Sequence, residues 1–179
     1  MSLYAAAAFT PPQAVAAAAD DTINSSLCYG FVADVAAVRI DPRTLQVRIE
    51  KLATVHDAGT VLNAALLDGQ VHGAIAHALG GACYEEMVYS DDGQPASGTF
   101  LDYLCPTSAE ATFPLSSDHI QTPSPYTRLG AKGCGEGSSM SVPAALANAV
   151  ADALAPHGID LTSLPVHGNV LHALMEGEP

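Results

Sequence analysis

A glycine-rich loop placed directly before a helix constrains this chain more than any other stretch of its sequence. Four glycines fall in the eight residues from Gly130 to Gly137, within "LGAKGCGEGSS", and an alanine-rich helical stretch follows. Glycine adopts positive φ and lets backbone N–H groups approach a ligand without a Cβ in the way. A glycine loop that leads into a helix N-terminus is typical of an anion-binding site. Pro143 predicts the first turn of that helix.

The loop differs from the two common phosphate loops. Lys132 precedes the key glycines, so the pattern G-x-x-x-x-G-K-[ST] is absent. Gly133, Gly135 and Gly137 form G-x-G-x-G, which is not the dinucleotide pattern G-x-G-x-x-G. The loop also carries Glu136, and a carboxylate is a poor ligand for phosphate. Glu136 could therefore be a general base, a metal ligand, or a charge that stabilises the helix start by about 0.3–1 kcal/mol.

The rest of the chain predicts an α+β fold. Alternating apolar residues over 29–40 and 45–55, separated by the turn "DPRT", predict a β-hairpin. Apolar residues at helical spacing predict a helix over 64–87, with Asn63 as its N-cap. A second main helix is predicted over 144–154. Short extended segments lie between and after the helices, which predicts a mixed or antiparallel sheet packed with two main helices.

Composition excludes several classes of function. The chain has 6 Lys and Arg against 19 Asp and Glu, a net charge of −13, which argues against nucleic acid and anionic membranes. No apolar run reaches the ~20 residues of a membrane span, and no basic signal-peptide region precedes the first alanines, which predicts a cytoplasmic protein. The four cysteines lack C-x-x-C spacing, which predicts free thiols. Charged residues make up 14% of the chain, which suits either a surface covered by a partner or a small alanine-rich domain.

Two blocks resemble the molybdenum hydroxylases, the family of xanthine dehydrogenase and aldehyde oxidase. The first block is "GAKGCGEG" followed by "PAALANA". The second block runs from "HDAGTVLN" through "GQVHGAIAHALGG" to "FLDY". The similarity extends from about residue 29 to the C-terminus, and many matches in the same order make it specific.

The resemblance implies a role for each matched position. Glu136 corresponds to the catalytic Glu, a base that lies beside molybdenum without binding it directly. The reaction is the oxidative hydroxylation of an N-heteroaromatic or aldehyde substrate with water as oxygen source. The cofactor is molybdenum–molybdopterin cytosine dinucleotide. Its implied contacts are Gln70, Gly73, His77, Gly80, Lys132, Gly133, Cys134, Gly135, Gly137, Ser138 and Ser139. His77 stands where the family commonly has Gln.

The same resemblance implies a larger assembly. Residues 1–28 are predicted to form an extended arm, and residues 29–179 a molybdopterin-binding-type domain. The family's molybdenum subunit is far longer, so this chain is either a fragment or a small separate subunit that completes the active site. The N-terminal arm and the low charge content favour the separate subunit. Its expected partners are a larger molybdopterin-binding subunit, an FAD subunit and a 2Fe–2S subunit. The alternative is a non-catalytic scaffold or cofactor-insertion module. For His56 and Asp57 we expect structural hydrogen bonds.

Overall fold

The computed structural model describes residues 3–8, 26 and 28–177. Residues 3–8 are exposed and belong to neither a helix nor a strand. Most of the predicted arm, 1–28, lies outside the described residues, so the arm stays a prediction. Within the described part of the chain, no helix combines the length and the apolar character that a bilayer crossing requires.

A three-stranded mixed sheet forms one layer of the fold. Strands β1 (Val32–Ile40) and β2 (Val47–Asp57) pair antiparallel, and β3 (Leu115–Ile120) pairs parallel with β2. The strand order is β1-β2-β3, so β2 is central. This confirms the predicted hairpin and the α+β fold class. Alternate residues of β1 face inward, as its apolar periodicity requires.

Helix α1 (Ala64–Cys83) begins where the sequence predicts and ends earlier. The side-chain oxygen of Asn63 accepts a hydrogen bond from the Leu66 amide at 3.1 Å, which confirms the predicted N-cap. The predicted end at Met87 is wrong. The Glu85 amide bonds to the Gly80 carbonyl, a wider turn that closes the helix, and the chain then leaves in extended form.

Helix α2 (Gly137–Leu154) begins earlier than predicted. Pro143 lies inside this helix instead of in its first turn. Ser138 and Val142, which precede Pro143, are buried where α2 packs on the rest of the protein. Their burial offsets the loss of the backbone hydrogen bond that proline cannot donate. A 3₁₀ turn (Ala155–His157) follows and ends at a left-handed glycine.

The core lies between the sheet and the helices. Helix α2 packs across β1 and along α1, and the short helix α3 (Gly168–Glu176) adds Leu171 to the same cluster. The best-buried apolar side chains include Leu52, Val71, Ile75, Leu146, Val150 and Leu171. Because the start of α2 rests on the end of β2, this packing fixes the glycine loop against the sheet.

Candidate functional site

A buried ion pair anchors the glycine loop to the end of the central strand. The ammonium of Lys132 lies 2.7 Å from Oδ2 of Asp57 and 2.6 Å from Oγ1 of Thr122. The Lys132 amide also donates to the Ala58 carbonyl at 2.8 Å. The predicted cofactor contact Lys132 therefore directs its ammonium into the protein. Both the backbone and the side chain of Lys132 therefore hold the base of the loop.

Asp57 is the central hydrogen-bond acceptor of this anchor. It is fully buried and accepts hydrogen bonds from the amides of Gly59 and Thr122 as well as from Lys132. Burial alone raises the pKa of a carboxyl, but the bonds from Lys132, Thr122 and Gly59 outweigh it and hold the pKa of Asp57 well below 3.8. The predicted structural hydrogen bonding of Asp57 is confirmed.

Glu136 stands at the N-cap position of α2 and does not act as a cap. Its side chain makes no capping hydrogen bond, and the residue is exposed. It lines a pocket of about 360 Å³ together with Gly30, Val32, His56, Met140 and the loop residues from Gly133 to Gly137. The carboxylate is therefore available to a ligand at the positive end of a helix.

The loop glycines differ in what surrounds them. A Cβ at Gly133 would meet nothing within 4 Å, whereas one at Gly135 would lie 3.2 Å from Oε1 of Gln70. The structure thus brings the predicted residue Gln70 of α1 against the glycine loop. Gly137 is the tightest position, because a Cβ there would lie 2.2 Å from Nε2 of His56.

The other predicted α1 positions share one face of the helix and differ in exposure. Gly73 and His77 are exposed, at helical spacing from Gln70, and share its face. Gly80 follows on the same face near the end of the helix but is buried, because Glu85 and Pro106 cover it: a Cβ there would lie 1.9 Å from Oε1 of Glu85. Gly80 is not among the residues that line the Glu136 pocket.

The remaining loop positions lie below or beside the pocket. Cys134 lines the Glu136 pocket and an adjacent one beside Gln70, and burial raises the pKa of its thiol. Ser138 is fully buried beneath the loop. The hydroxyl of Ser139 donates to the Ala74 carbonyl of α1 at 3.4 Å. These two serines therefore face the protein interior.

Sequence reasoning missed the side chains beneath the loop. His56 is 1% exposed and neither ring nitrogen has a hydrogen-bond partner among the described residues, contrary to the expected structural hydrogen bonding. Asp34 of β1 accepts a hydrogen bond from Ser141 of α2. The alternation of Leu52, Thr54 and His56 on β2 could have placed these side chains on the inner face. It could not have shown which part of α2 lies over them.

The described site fits a large ligand held mainly by backbone. The exposed residues Gly133 and Gly135 leave main-chain groups accessible beside Glu136, and Gln70 offers a polar side chain in the adjacent pocket, next to Gly135. Among the described residues, no three His, Cys, Asp or Glu side chains come together as a metal-ligand set. A molybdopterin, which carries its metal on its own ligands, is compatible with this arrangement.

Comparison with known proteins decides the family. The profile of the molybdopterin cofactor-binding domain matches residues 1–112. The chain belongs to this family. It is 40% identical over 128 residues to the nicotine 6-hydroxylase large subunit of Paenarthrobacter nicotinovorans, which covers 72% of the chain and 16% of that protein. The gamma subunit of the 6-hydroxypseudooxynicotine dehydrogenase complex from the same organism is 33% identical over 185 residues, which covers 99% of the chain and 23% of that protein.

A solved structure shares the fold of this molybdopterin-binding chain. Quinoline 2-oxidoreductase from Pseudomonas putida 86 aligns with a TM-score of 0.74 and 36% identity. The alignment covers 79% of the chain and 18% of that structure. The chain therefore spans less than a quarter of the length of the relatives that it matches.

Proposed function

We propose that this chain completes the active site of a molybdenum hydroxylase and supplies its catalytic base, Glu136. One observation carries the proposal: Glu136 occupies the N-cap position of α2 yet makes no capping hydrogen bond and lines an open pocket. A carboxylate that served only the helix would gain most by bonding the free amides of the first turn. Glu136 is instead available to accept a proton from a ligand.

The residues around Glu136 fit a division of labour. Gln70 and the backbone at Gly133 and Gly135 would hold the cofactor, and Gly73 and His77 extend the same face along α1. Lys132 would hold the loop rather than touch the cofactor, because its ammonium is committed to Asp57 and Thr122. When bound, the molybdenum centre supplies the two-electron oxidation of the substrate.

We propose an N-heteroaromatic substrate, hydroxylated with water as oxygen source. Two of the relatives are named for nicotine and quinoline, which both contain a nitrogen heteroaromatic ring. A ring nitrogen leaves the adjacent carbon electron-poor and open to attack by oxygen. Glu136 would accept the proton released as that oxygen becomes nucleophilic.

The proposed assembly follows the names of the relatives, which are a large subunit and a subunit of a complex. We propose that the remainder of the molybdopterin site, in the cytosine dinucleotide form, comes from a larger molybdopterin-binding part. FAD and 2Fe–2S subunits would carry electrons away. We place the complex in the cytoplasm. Stoichiometric molybdenum on this chain alone would contradict the shared site.

Substitution of Glu136 tests the catalytic role in the assembled enzyme. Glu136→Gln should lower turnover about 10²–10⁴-fold, as expected for loss of a general base, and keep the molybdenum content. Glu136→Asp is the matched control for a helix-charge role, since Asp keeps the charge and caps helices well. For a scaffold or cofactor-insertion module, Glu136→Gln should keep the turnover per bound molybdenum within a few-fold of the parent, and any loss of activity should follow the molybdenum content.

A further inference from the structure

His56 is the most unusual buried side chain near the site. It lies on the central strand, opposite Val32 of β1 and His119 of β3, with 1% of its surface exposed. Neither Nδ1 nor Nε2 finds a hydrogen-bond partner among the described residues. A buried polar group without a hydrogen bond destabilises the folded state by about 1–3 kcal/mol. A role beyond packing would explain a histidine at this position.

The imidazole of His56 is in direct contact with the start of α2. A Cβ at Gly137 would lie 2.2 Å from Nε2 and 3.0 Å from Cε1 of His56, and 2.9 Å from Cγ2 of Val32. The ring therefore fills the space that any side chain at position 137 would need. Gly137 directly follows Glu136, so the ring lies beside the backbone from which the Glu136 side chain extends.

The charges around His56 favour its neutral form. Burial lowers the pKa of His56 below 6.5, and His119 on β3 lowers it further. Asp34 on β1 and Asp57 on β2 act in the opposite direction, and Asp57 is itself paired with Lys132. From α2, Gly137 lies against the ring, and Glu136 lines the same pocket as His56. A protonated imidazole would stand against the positive end of the α2 dipole.

We propose that His56 is a positioning residue for Glu136: its buried ring, wedged against Gly137, sets the direction in which the Glu136 side chain enters the pocket. The proposal rests on the catalytic role proposed for Glu136. Protonation of the ring places a positive charge at the N-terminus of α2, and the first turn of α2, which follows Glu136, then becomes more mobile. The neutral ring of His56 therefore keeps this first turn in place.

The test uses the assembled, molybdenum-containing enzyme with three variants. His56→Ala removes the wedge, and His56→Leu keeps a similar volume without a titrating group. Thr54→Val is the control, because Thr54 lies two positions earlier on the same face and its hydroxyl also has no partner among the described residues. Each variant is measured for molybdenum content, kcat, KM and hydrogen exchange of the peptide that covers residues 133–142.

His56→Ala should lower kcat by about 100-fold, as a small misplacement of a catalytic group can, with KM and molybdenum content within about two-fold. Exchange over 133–142 should become faster. In the parent enzyme, exchange over 133–142, corrected for the intrinsic effect of pH, should rise as pH drops through a group titrating below 6.5. His56→Leu should lack that transition, and Thr54→Val should keep it. If His56→Ala does not assemble, His56→Leu carries the test.

Three outcomes would overturn the proposal. These are unchanged kcat and exchange in His56→Ala, a loss of molybdenum in proportion to activity, or an acid transition in hydrogen exchange that persists in His56→Leu. Failure of the proposed function is distinct: Glu136→Gln would then keep its turnover while the exchange of 133–142 still responds to His56. Loss of turnover in Glu136→Gln with no response to His56 would contradict the positioning role alone.

Discussion

The ammonium of Lys132 and the carboxylate of Asp57 lie 2.7 Å apart, and their side chains are 8% and 0% exposed. Asp57 ends β2, and Lys132 begins the loop that carries Glu136. The pair therefore joins the central strand to the candidate site. The contribution of this pair to the free energy of unfolding can be measured, because removing one partner of a buried pair leaves the other charge without compensation.

Lys132→Met should destabilise the protein by about 3–5 kcal/mol, since it leaves the Asp57 charge buried and unpaired. Denaturant unfolding of the purified protein measures this change. Lys51→Met, at an exposed position on the same strand, is the control and should stay within about 0.5 kcal/mol of the parent. The double variant Asp57→Asn/Lys132→Met should lose less than the sum of the single changes. A loss below 1 kcal/mol for Lys132→Met would contradict a paired, buried charge.

The lowered pKa of Asp57 predicts a loss of stability in acid. Its folded pKa lies below the ordinary value of 3.8, so the unfolded chain binds more protons between the two values. The stabilisation is fully present above about pH 4 and disappears as pH falls through the folded pKa. Urea unfolding at a series of pH values checks this. The decline should be shallower in Asp57→Asn, and an equal slope in both proteins would rule out Asp57 as its source.

Gly137→Ala should destabilise the protein by about 1–3 kcal/mol, because the added methyl group would meet His56 and Val32 in a packed interior. Turnover should fall with it, since Glu136 is the adjacent residue. Thermal unfolding and steady-state kinetics measure the two effects. Gly133→Ala is the control for stability, because a Cβ there meets nothing within 4 Å. Equal melting temperatures for the two variants would show that position 137 has room for a side chain.

Substitutions of two glycines of α1 distinguish an effect on helix stability from an effect on cofactor binding. A Cβ at Gly69 or Gly73 meets nothing within 4 Å, so Gly69→Ala and Gly73→Ala should each stabilise the helix by about 1 kcal/mol. Only Gly73 is predicted to contact the cofactor. Gly73→Ala should therefore lower the molybdenum content of the assembled enzyme, whereas Gly69→Ala should not. Metal analysis checks this, and equal molybdenum in both would remove Gly73 from the cofactor site.

Local sequence signals predicted most of the secondary structure. The alternation around the "DPRT" turn predicted the hairpin, and Asn63 with the apolar spacing behind it predicted the start of α1. Such signals act over a few residues, so they fail where tertiary packing overrides them. Pro143 indicated a first turn, but burial of Ser138 and Val142 extends α2 back to Gly137.

The sequence by itself determined the glycine loop, its single acid Glu136 and the helix behind it, because these depend on neighbouring residues. Only the tertiary structure decided what those residues touch. Lys132 pairs with Asp57 across 75 positions of chain, and His56 of the sheet meets Gly137 of α2. Contacts at such separations depend on how the layers pack, and no local pattern encodes them. For that reason the loop could be found in the sequence, while the ring that fixes its direction could be found only in the fold.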